Sequence, residues 1–194
     1  MRIVAGQLRG RTLFFPKDKQ FRPTQDRPKE ALFSILQPYL EQKRVLDLFC
    51  GTGSLGLEAL SRGCAHVTFV DTETSYLKRN LALFPELSSH ITVFQRSVYS
   101  CWKHVTGPFD LIFMDPPWHE SDRGRKYYDE ALLAIAEFAI LAPLGTVVCE
   151  HHCSVIFRDT DLFQVSQTRR YSDTRLTFFQ QKETILDQKS DLSR

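Results

Sequence analysis

Residues 45–56 read Val-Leu-Asp-Leu-Phe-Cys-Gly-Thr-Gly-Ser-Leu-Gly, and this stretch decides the fold class of the chain. Val45 to Phe49 is an apolar run of strand length, and Gly51 to Gly56 is a complete G-x-G-x-x-G. Leu55 to Arg62 then has the spacing of a helix. A strand, a glycine-rich turn and a helix in this order predict the first unit of a Rossmann-like α/β sheet.

The next strand, Val67 to Val70, ends at Asp71, twenty residues after Gly51. The glycines permit a tight turn and close approach of the backbone to a ligand, and an acid at this distance can accept ribose hydroxyl groups. The spacing therefore predicts a nucleotide-like cofactor.

Asp47 indicates which kind of nucleotide. It lies inside the first strand, four residues before Gly51. A carboxylate there would repel the pyrophosphate that a dinucleotide site holds at a helix N-terminus. It suits a ligand with an ammonium group, such as the methionine end of S-adenosylmethionine.

A second motif, Asp115-Pro116-Pro117-Trp118, follows the apolar run Phe109 to Met114. The prolines fix their own φ angles and carry no N–H, so the segment offers a carboxylate and the Pro116 carbonyl as acceptors on a stiff backbone. Trp118 adds a flat apolar face. Two acceptors and a stacking surface suit a planar substrate with an NH2 group, such as a nucleobase; the alternative is a turn that ends a strand, with Trp118 as a packing residue.

The pattern D-x-F-x-G-x-G, formed by Asp47, Phe49, Gly51 and Gly53, resembles the class I amino-methyltransferases when it occurs with D-P-P-W. Three longer stretches resemble the RsmD family of small-subunit ribosomal RNA guanine-N2 methyltransferases. They are RIVAGQLRGRTL at residues 2–13, RPTQDRPKEALFSIL at 22–36 and DLFCGTGSLGLEALSRG at 47–63. The matches are ordered and spaced as in the family and cover roughly residues 2 to 150.

The resemblance implies S-adenosylmethionine-dependent methylation of the exocyclic N2 amine of a guanine in 16S ribosomal RNA, with no metal. The implied catalytic residues are Asp115, Pro116, Pro117 and Trp118. The implied cofactor residues are Asp47, Phe49, Gly51, Gly53, Asp71, Thr72, Ser97 and Val98, and Thr24 and Asp26 would close over the methionine end.

The chain departs from the family at three positions. Asp71 stands where the family usually has Glu. Ser97 and Val98 stand where relatives often carry Asp or Asn near the adenine amine; Ser97 can still form a hydrogen bond, and the Val98 N–H is available. Trp118 replaces the more usual Tyr or Phe, and its larger ring should stack at least as well.

Charge is unevenly distributed along the chain. Residues 1–44 hold ten Lys or Arg and four Asp or Glu, a net charge of +6, whereas the whole chain carries +2. A basic N-terminal arm suggests a polyanionic substrate; the alternative is a solvated basic tail. The predicted substrate contacts are Arg9, Arg11, Arg22, Arg27 and Trp118, and Lys29 is a further candidate for phosphate contact.

Length and composition fit one globular domain: the chain has 194 residues, 42% of them hydrophobic and 25% charged. It contains no run of about 18 apolar residues and no signal-peptide core, so no membrane span is expected. Five scattered cysteines argue against a disulfide framework and favour a reducing cytoplasm. We expect a monomer whose partner is ribosomal RNA, free or within a small subunit.

Alternating strand and helix patterns predict a class I Rossmann-like α/β fold: a mainly parallel sheet with helices on both faces and an N-terminal β-hairpin extension. We divide the chain into a basic hairpin and loop (1–25), a methyltransferase domain (26–182) and a disordered tail (183–194). Helices are predicted at 26–40, 55–62, 73–84, 98–105 and 127–140. Strands are predicted at 44–49, 66–71, 90–95, 109–114 and 144–150, with a closing hairpin at 162–169 and 175–181.

Three other functions remain open at this stage. A DNA adenine-N6 or protein-glutamine methyltransferase would use the same Pro-Pro geometry, although the glutamine enzymes resemble one another in carrying Asn where this chain has Asp115. A non-catalytic RNA-binding module on the same scaffold is the third. The run from Cys149 to Cys153 contains metal-type residues, but strand alternation would not gather them on one side.

Overall fold

The computed structural model of this chain describes residues 1–16, 26–117 and 125–182, except the side chains of Asp26 and Arg27. The predicted site residues Arg22, Thr24 and Trp118 lie outside the described residues. So do the predicted tail at 183–194 and the predicted domain boundary at residue 25.

Within the described residues the strands form one seven-stranded sheet in the order β3-β2-β1-β4-β5-β7-β6. Their bounds are β1 Arg44–Leu48, β2 His66–Asp71, β3 Ile91–Gln95, β4 Phe109–Met114, β5 Leu141–His152, β6 Phe163–Tyr171 and β7 Thr174–Gln181. Strands β3, β2, β1, β4 and β5 pair in parallel. The antiparallel hairpin of β6 and β7 closes one side of the sheet with β6 at the edge, as predicted.

The helices connect the parallel strands. Their bounds are α1 Asp26–Leu36, α2 Ser54–Ser61, α3 Ser75–Leu81 and α4 Arg125–Glu137, with short 3-10 helices at Gln37–Tyr39 and Pro85–His90. Helix α1 ends earlier than the predicted Leu40 because Pro38 cannot donate the helical hydrogen bond and crowds the preceding turn. In the described ranges no helix combines the length and apolar character needed to span a membrane.

Alternation along the central strands builds a core on each face of the sheet. Val45 of β1 and Phe113 of β4 belong to a cluster that includes residues of α1, α2 and α3. Their sequence neighbours Leu46 and Ile112 belong to a second cluster, which includes residues of α4. Both faces are therefore covered, as a buried parallel sheet requires.

Residues 1–16 fold back on themselves but form only one antiparallel bridge, Arg2 with Thr12. Instead of extending the sheet, the segment packs on α2 and contributes Ile3 and Leu13 to the core. Glu58 of α2 is fully buried and accepts hydrogen bonds from the backbone nitrogens of Val4 and Ala5 at 2.8 and 3.0 Å. The amino-terminal segment is thus part of the hydrophobic core.

The buried ion pair beside this contact corrects one prediction. The Nζ atom of Lys29 lies 3.7 Å from the Glu58 carboxylate, and neither side chain is exposed. It also donates to the Arg2 carbonyl at 2.7 Å. Lys29 therefore anchors the segment to α2 and cannot contact an RNA phosphate, because no part of it reaches the surface.

The predicted helix at 98–105 is wrong. Val98, Cys101, Trp102 and Val105 are buried at helical spacing, but the segment consists of turns. The nitrogen of Ser100 donates to the Ser97 carbonyl at 3.0 Å, and that of His104 donates to the Cys101 carbonyl at 2.8 Å. A helix of eight residues is costly to nucleate, and two separate turns bury the same apolar side chains.

Strand β5 begins at Leu141, three residues before its predicted start. The pairing with β4 jumps from Phe109 with Leu141 to Leu111 with Thr146. The intervening residues form a bulge in which Leu144 has a positive φ of 62°. Pro143 and Gly145 are residues typical of loops, and for this reason the sequence pattern placed the start of the strand too late.

Candidate functional site

Three carboxylates meet at the carboxyl edge of the parallel sheet. Asp47 lies in β1, Asp71 ends β2 and Asp115 directly follows β4. Strand β1 lies between the other two, and Asp47 is in register with Phe69 and Phe113. Asp115 and Asp71 are close enough to Asp47 for both to raise its pKa. The sheet therefore brings together the three acids that the sequence singled out, at the edge where open α/β sheets bind ligands.

Asp47 is almost completely buried, and burial raises the pKa of its carboxyl to about 8. A hydrogen bond from the Gly56 nitrogen to its Oδ2, at 2.9 Å, acts in the opposite direction. Gly56 lies in the first turn of α2, whose N–H groups lack partners within the helix. Among the described residues no ion pair includes Asp47. The local electrostatics therefore favour a cationic ligand.

The glycine loop has the backbone geometry that its sequence predicted. Gly51 and Gly53 have positive φ angles of 51° and 78°. A Cβ atom on Gly56 would lie 2.3 Å from Cε1 of Phe69 and 2.8 Å from Cγ1 of Val67, both on β2. The first two glycines shape the turn, and the third allows α2 to pack closely against the sheet.

Asp71 connects the glycine loop to the end of β2. Its Oδ2 accepts a hydrogen bond from the Gly51 nitrogen at 2.8 Å, and its Oδ1 accepts one from the Glu73 nitrogen at 3.0 Å. The exposed Thr72 hydroxyl lies 3.4 Å from the same Oδ1. Because an ionised carboxylate has about four acceptor positions, Asp71 retains capacity for ligand hydroxyl groups.

Ser97 and Val98 follow β3, whose Gln95 is in register with Asp71. The Arg96 nitrogen donates to the Asp71 carbonyl at 2.9 Å, which links the ends of the two strands. Ser97 Oγ is half-buried and accepts from the Tyr99 nitrogen at 3.3 Å, and Val98 is buried. Both residues are therefore beside the acid expected to hold a ribose.

Asp115 and Pro116 lie at the base of the segment after β4, and Pro117 is exposed at its rim. Asp115 is half-buried and Pro116 is buried. Met114, the last residue of β4, is in register with Leu48 of β1. The acceptors of the Pro-Pro segment consequently flank the end of β1, on the opposite side from Asp71.

Two tyrosines that the sequence did not single out lie beside Phe49, which the sequence predicted as a cofactor residue. Phe49 has a positive φ of 59° and packs edge-on against Tyr127 of α4, with ring centroids 5.6 Å apart. Tyr127 lies 5.8 Å from Tyr99, which is 50% exposed. Tyr99 and Tyr127 lie outside the sequence motifs and resemble ordinary packing residues, so nothing in the sequence marked them as part of a site.

The basic residues predicted to contact the substrate differ in position. Arg9 is exposed at the tip of the amino-terminal segment, near the C-terminal end of α2, where Leu8 nitrogen donates to Ser61 Oγ at 2.9 Å. Arg11 is exposed too, but its Nη2 donates to the Leu83 carbonyl at 3.2 Å and its guanidinium lies 5.0 Å from the centre of the Phe84 ring. Among the ion pairs of the described residues, none joins either arginine to Asp47 or Asp71.

The residues from Cys149 to Cys153 lie at the end of β5 and in the turn that follows it. Cys149 faces the α4 side, in the cluster opposite to that of Val148. His151 is buried, with Nε2 at 2.8 Å from Thr177 Oγ1. In the described parts of the chain no group of three or more His, Cys, Asp or Glu side chains has the arrangement of a metal site.

The comparisons with known proteins are consistent with this geometry. The sequence profile of a family described as "Conserved hypothetical protein 95" matches residues 1–180. A Bacillus subtilis protein, YlbH, whose name presents it as a candidate rRNA methyltransferase, is 38% identical over 82% of this chain and 87% of its own length. The Haemophilus influenzae protein "Ribosomal RNA small subunit methyltransferase D" is 43% identical over 61% of this chain, and its match spans 64% of its own length.

Two solved structures resemble the whole fold. An Escherichia coli chain described as a candidate methyltransferase, yhhF, superposes with a TM-score of 0.79 at 27% identity, over 95% of this chain and 99% of its own. A Haemophilus influenzae chain described as a candidate methylase, HI0767, gives a TM-score of 0.73 at 31% identity, over 93% and 97% of the two chains. The sheet with its carboxylate edge is therefore a methyltransferase scaffold of the class I Rossmann-like type.

Proposed function

Because this chain belongs to the family described as conserved hypothetical protein 95, the RsmD family of ribosomal RNA methyltransferases, we propose that it methylates the exocyclic N2 amine of a guanine in 16S ribosomal RNA. S-adenosylmethionine would be the methyl donor and the cytoplasm the place of action. The observation that carries the proposal is the meeting of Asp47, Asp71 and Asp115 around the glycine loop.

The residues at this edge fit S-adenosylmethionine better than they fit a dinucleotide. Asp47 suits the ammonium group of the methionine end, because a cation beside it would favour the ionised form of this buried carboxyl. Burial and the negative charges of Asp115 and Asp71 already raise the pKa of Asp47, and a pyrophosphate would instead add to that negative charge. The carboxylate of Asp71 suits the ribose hydroxyls, and the turns at Gly51 and Gly53 let the backbone come close to the ligand. Thr72, Ser97 and Val98 would line the adenine. When bound there, S-adenosylmethionine supplies a methyl group activated by its sulfonium sulfur.

The segment after β4 would hold the guanine amine. The nitrogen lone pair of that amine is delocalised into the ring, so the amine is a poor nucleophile. Hydrogen bonds from its two N–H groups to the Asp115 carboxylate and the Pro116 carbonyl would favour a tetrahedral nitrogen and direct the lone pair at the methyl group. As the N–C bond forms, the S–CH3 bond would break and leave its electron pair on sulfur. Asp115 would stabilise the positive charge that develops on nitrogen until that nitrogen releases a proton to water. Pro117 keeps the segment stiff.

The guanine must leave its stack to reach this segment. We propose that Trp118 stacks on the displaced base. Phe49, Tyr99 and Tyr127, which pack against one another, would offer the base further aromatic surface. Thr24 and Asp26 would close over the methionine end, and Arg9, Arg11, Arg22 and Arg27 would contact RNA phosphates. The exposed positions of Arg9 and Arg11 are compatible with such contacts.

The proposal can be tested with purified protein, S-adenosylmethionine carrying a labelled methyl group, and small ribosomal subunits from cells that lack this protein. We expect label in 16S ribosomal RNA, and mass spectrometry of the digested RNA should identify N2-methylguanine at one position. Protein-free 16S ribosomal RNA assayed in parallel would identify the accepted form of the substrate. Label in adenine, in DNA or in protein, or an absence of transfer to both RNA substrates, would overturn the proposal.

A further inference from the structure

A cavity of about 360 Å³ lies on the α4 side of the sheet, away from the three carboxylates. It is bounded by the end of β5, the start of β7, the end of β6 and the segment 155–157. The lining residues that matter here are His151, Phe157, Thr168, Arg170, Arg175 and Thr177. None of them was assigned a role by the sequence motifs.

Two arginines line this cavity from adjacent strands. Arg170 of β6 pairs directly with Arg175 of β7, which in turn pairs with His151 of β5. Residues directly opposite in antiparallel strands share a face of the sheet, and like charges at such positions are destabilising. In the described parts of the chain the ion pairs include neither arginine. An anion between the two guanidinium groups would remove this repulsion.

Backbone carbonyls hold both guanidinium groups in place. Nε of Arg170 donates to the Ser172 carbonyl at 2.9 Å, and Nη1 of Arg175 donates to the Val155 carbonyl at 3.4 Å. Each bond uses one of the five N–H donors of a guanidinium. The remaining donors can serve an oxyanion in the two-pronged geometry that arginine offers to phosphate.

The floor of the cavity is polar and uncharged. Thr168 Oγ1 lies 3.3 Å from Thr177 Oγ1, which lies 2.8 Å from Nε2 of His151. Burial and, to a smaller extent, the charge of Arg175 lower the pKa of His151 to about 4, so the ring is neutral at neutral pH. Hydroxyl groups beneath two cations form a donor-rich surface without a competing carboxylate among the lining residues.

The cavity wall is fastened to α4. Nη1 of Arg125 donates to the Ile156 carbonyl at 3.0 Å, and its guanidinium lies 4.6 Å from the centre of the Phe157 ring. The Phe157 ring in turn lies 4.7 Å from the His151 ring, at right angles to it.

The cavity opens at the same edge of the sheet as Asp115. Strands β4 and β5 are parallel, with Met114 in register with Cys149, so His151 lies at the level of the Pro-Pro segment. Strands β7 and β6 are two and three positions beyond β4, which corresponds to roughly 10 to 14 Å. A polynucleotide covers that distance in about three or four stacked nucleotides, and in fewer when extended.

We propose that the cavity formed by Arg170, Arg175, Thr168 and Thr177 binds a backbone phosphate of the RNA substrate, a few nucleotides from the modified guanine. This inference rests on the proposed function and extends it. The site positions the RNA strand and takes no part in methyl transfer, so its loss weakens RNA binding and leaves cofactor binding unchanged.

Adjacent residues on β6 provide a matched test. Arg170 faces the cavity, whereas Arg169 is paired with Leu176, which belongs to the core on the opposite face. Both arginines are exposed, and Arg170→Ala and Arg169→Ala remove the same charge from the same strand. Binding of a protein-free 16S ribosomal RNA transcript is measured at several salt concentrations. We expect Arg170→Ala to weaken binding about ten-fold and Arg169→Ala to have little effect.

The salt dependence gives an independent measure of the same contact. Loss of one phosphate contact should reduce the slope of log K against log salt by about 0.7 to 0.9 in Arg170→Ala. Arg175→Ala should behave likewise, and its melting temperature identifies any loss of folding. Calorimetry should give the parental Kd for S-adenosylmethionine in every variant, and methyl transfer at saturating RNA should keep the parental rate.

Equal affinities and slopes for Arg170→Ala and Arg169→Ala would overturn the phosphate site, as would the absence of any RNA binding by the parent. A parent that binds RNA but transfers no methyl group would contradict the proposed function alone. In that case the comparison of slopes still decides the phosphate site, because it requires no turnover.

Discussion

The carboxylate of Asp71 accepts a hydrogen bond from the backbone nitrogen of Gly51 at 2.8 Å. This bond joins the end of β2 to the first glycine of the loop, twenty residues earlier in the chain. Asp71 therefore has two roles in the proposed site: it fixes the loop in its left-handed turn, and it offers its remaining acceptor capacity to the ribose.

Asp71→Ala should weaken binding of S-adenosylmethionine by about 1.5–3 kcal/mol, because hydrogen bonds to a charged group are lost and the Gly51 turn is released. Calorimetry at neutral pH measures the change. Glu73→Ala is the matched control, since it removes an exposed acid two residues away and keeps the backbone nitrogen that Asp71 binds. Parental affinity in Asp71→Ala would remove this residue from the cofactor site.

Asp47→Asn should stabilise the ligand-free protein at alkaline pH while weakening cofactor binding. The pKa of the Asp47 carboxyl is about 8 in the folded protein, whereas the ordinary value for aspartate is 3.8. A raised folded-state pKa means that stability from this group is complete below about pH 4 and is lost as pH rises through about 8. Asparagine does not titrate, so Asp47→Asn avoids this loss of stability. Its side-chain oxygen can still accept the hydrogen bond from the Gly56 nitrogen.

Thermal melts between about pH 5 and pH 9 test this relation. The difference in melting temperature between Asp47→Asn and the parent should grow as pH rises. Calorimetry of the same variant should show weaker binding of the cationic cofactor. A pH-independent difference in melting temperature would show that the Asp47 carboxyl is ionised in the folded protein over this range, so that its pKa is not raised.

Asp115→Ala should slow methyl transfer about 10²–10³-fold in single-turnover assays with saturating cofactor, the usual contribution of one preorganised electrostatic contact. Asp115→Asn keeps one acceptor oxygen and should fall between the Ala variant and the parent. Asp110→Ala is the control on the same strand: its carboxylate pairs with Lys43 at 2.9 Å at the opposite end of β4. If Asp115→Ala transfers methyl groups at the parental rate, the Asp-Pro-Pro segment is a turn without a catalytic role.

Glu58→Ala should lower the free energy of unfolding by about 3–5 kcal/mol, because it leaves the buried Lys29 ammonium without its counter-ion. The backbone nitrogens of Val4 and Ala5 also lose their acceptor. Urea unfolding measures the loss, and Glu30→Ala, which removes an exposed acid on α1, provides the reference. A difference between the two variants of less than about 1 kcal/mol would mean that this ion pair does not anchor the amino-terminal segment.

Sequence patterns predicted that the three carboxylates would meet at one edge of the sheet, because their positions follow from local rules. Gly51 and Gly53 were expected to adopt conformations that favour glycine, and they do. Asp71 and Asp115 each follow an apolar run, so parallel pairing had to bring them to one edge. The paired arginines 170 and 175 were not predictable in this way, because their proximity depends on the register of a hairpin, which no single motif encodes.

The predicted helices and strands agree with the structure where the hydrophobic periodicity was unambiguous. They differ from it where contacts between distant parts of the chain determined the local conformation. Val98 and Cys101 have helical spacing, yet turns bury them equally well. The basic charge of residues 1–44 predicted an N-terminal arm that binds RNA. Lys29 instead forms a buried ion pair with Glu58 inside the core. A count of charged residues in the sequence cannot distinguish a buried cation from an exposed one.

The position of the amino-terminal segment also governs the order in which this protein can fold during its synthesis. The backbone nitrogen of Ala5 donates a hydrogen bond to the side chain of Glu58, 53 residues later in the chain. That of Phe14 donates one to the side chain of Asn80, 66 residues later. These early residues leave the ribosome well before their partners have been made, and until then Ile3 and Leu13 have no surface to pack against. Residues 1–16 are therefore among the last to be fixed, and closing such long loops favours slow folding in which the nascent chain keeps apolar side chains exposed to chaperones.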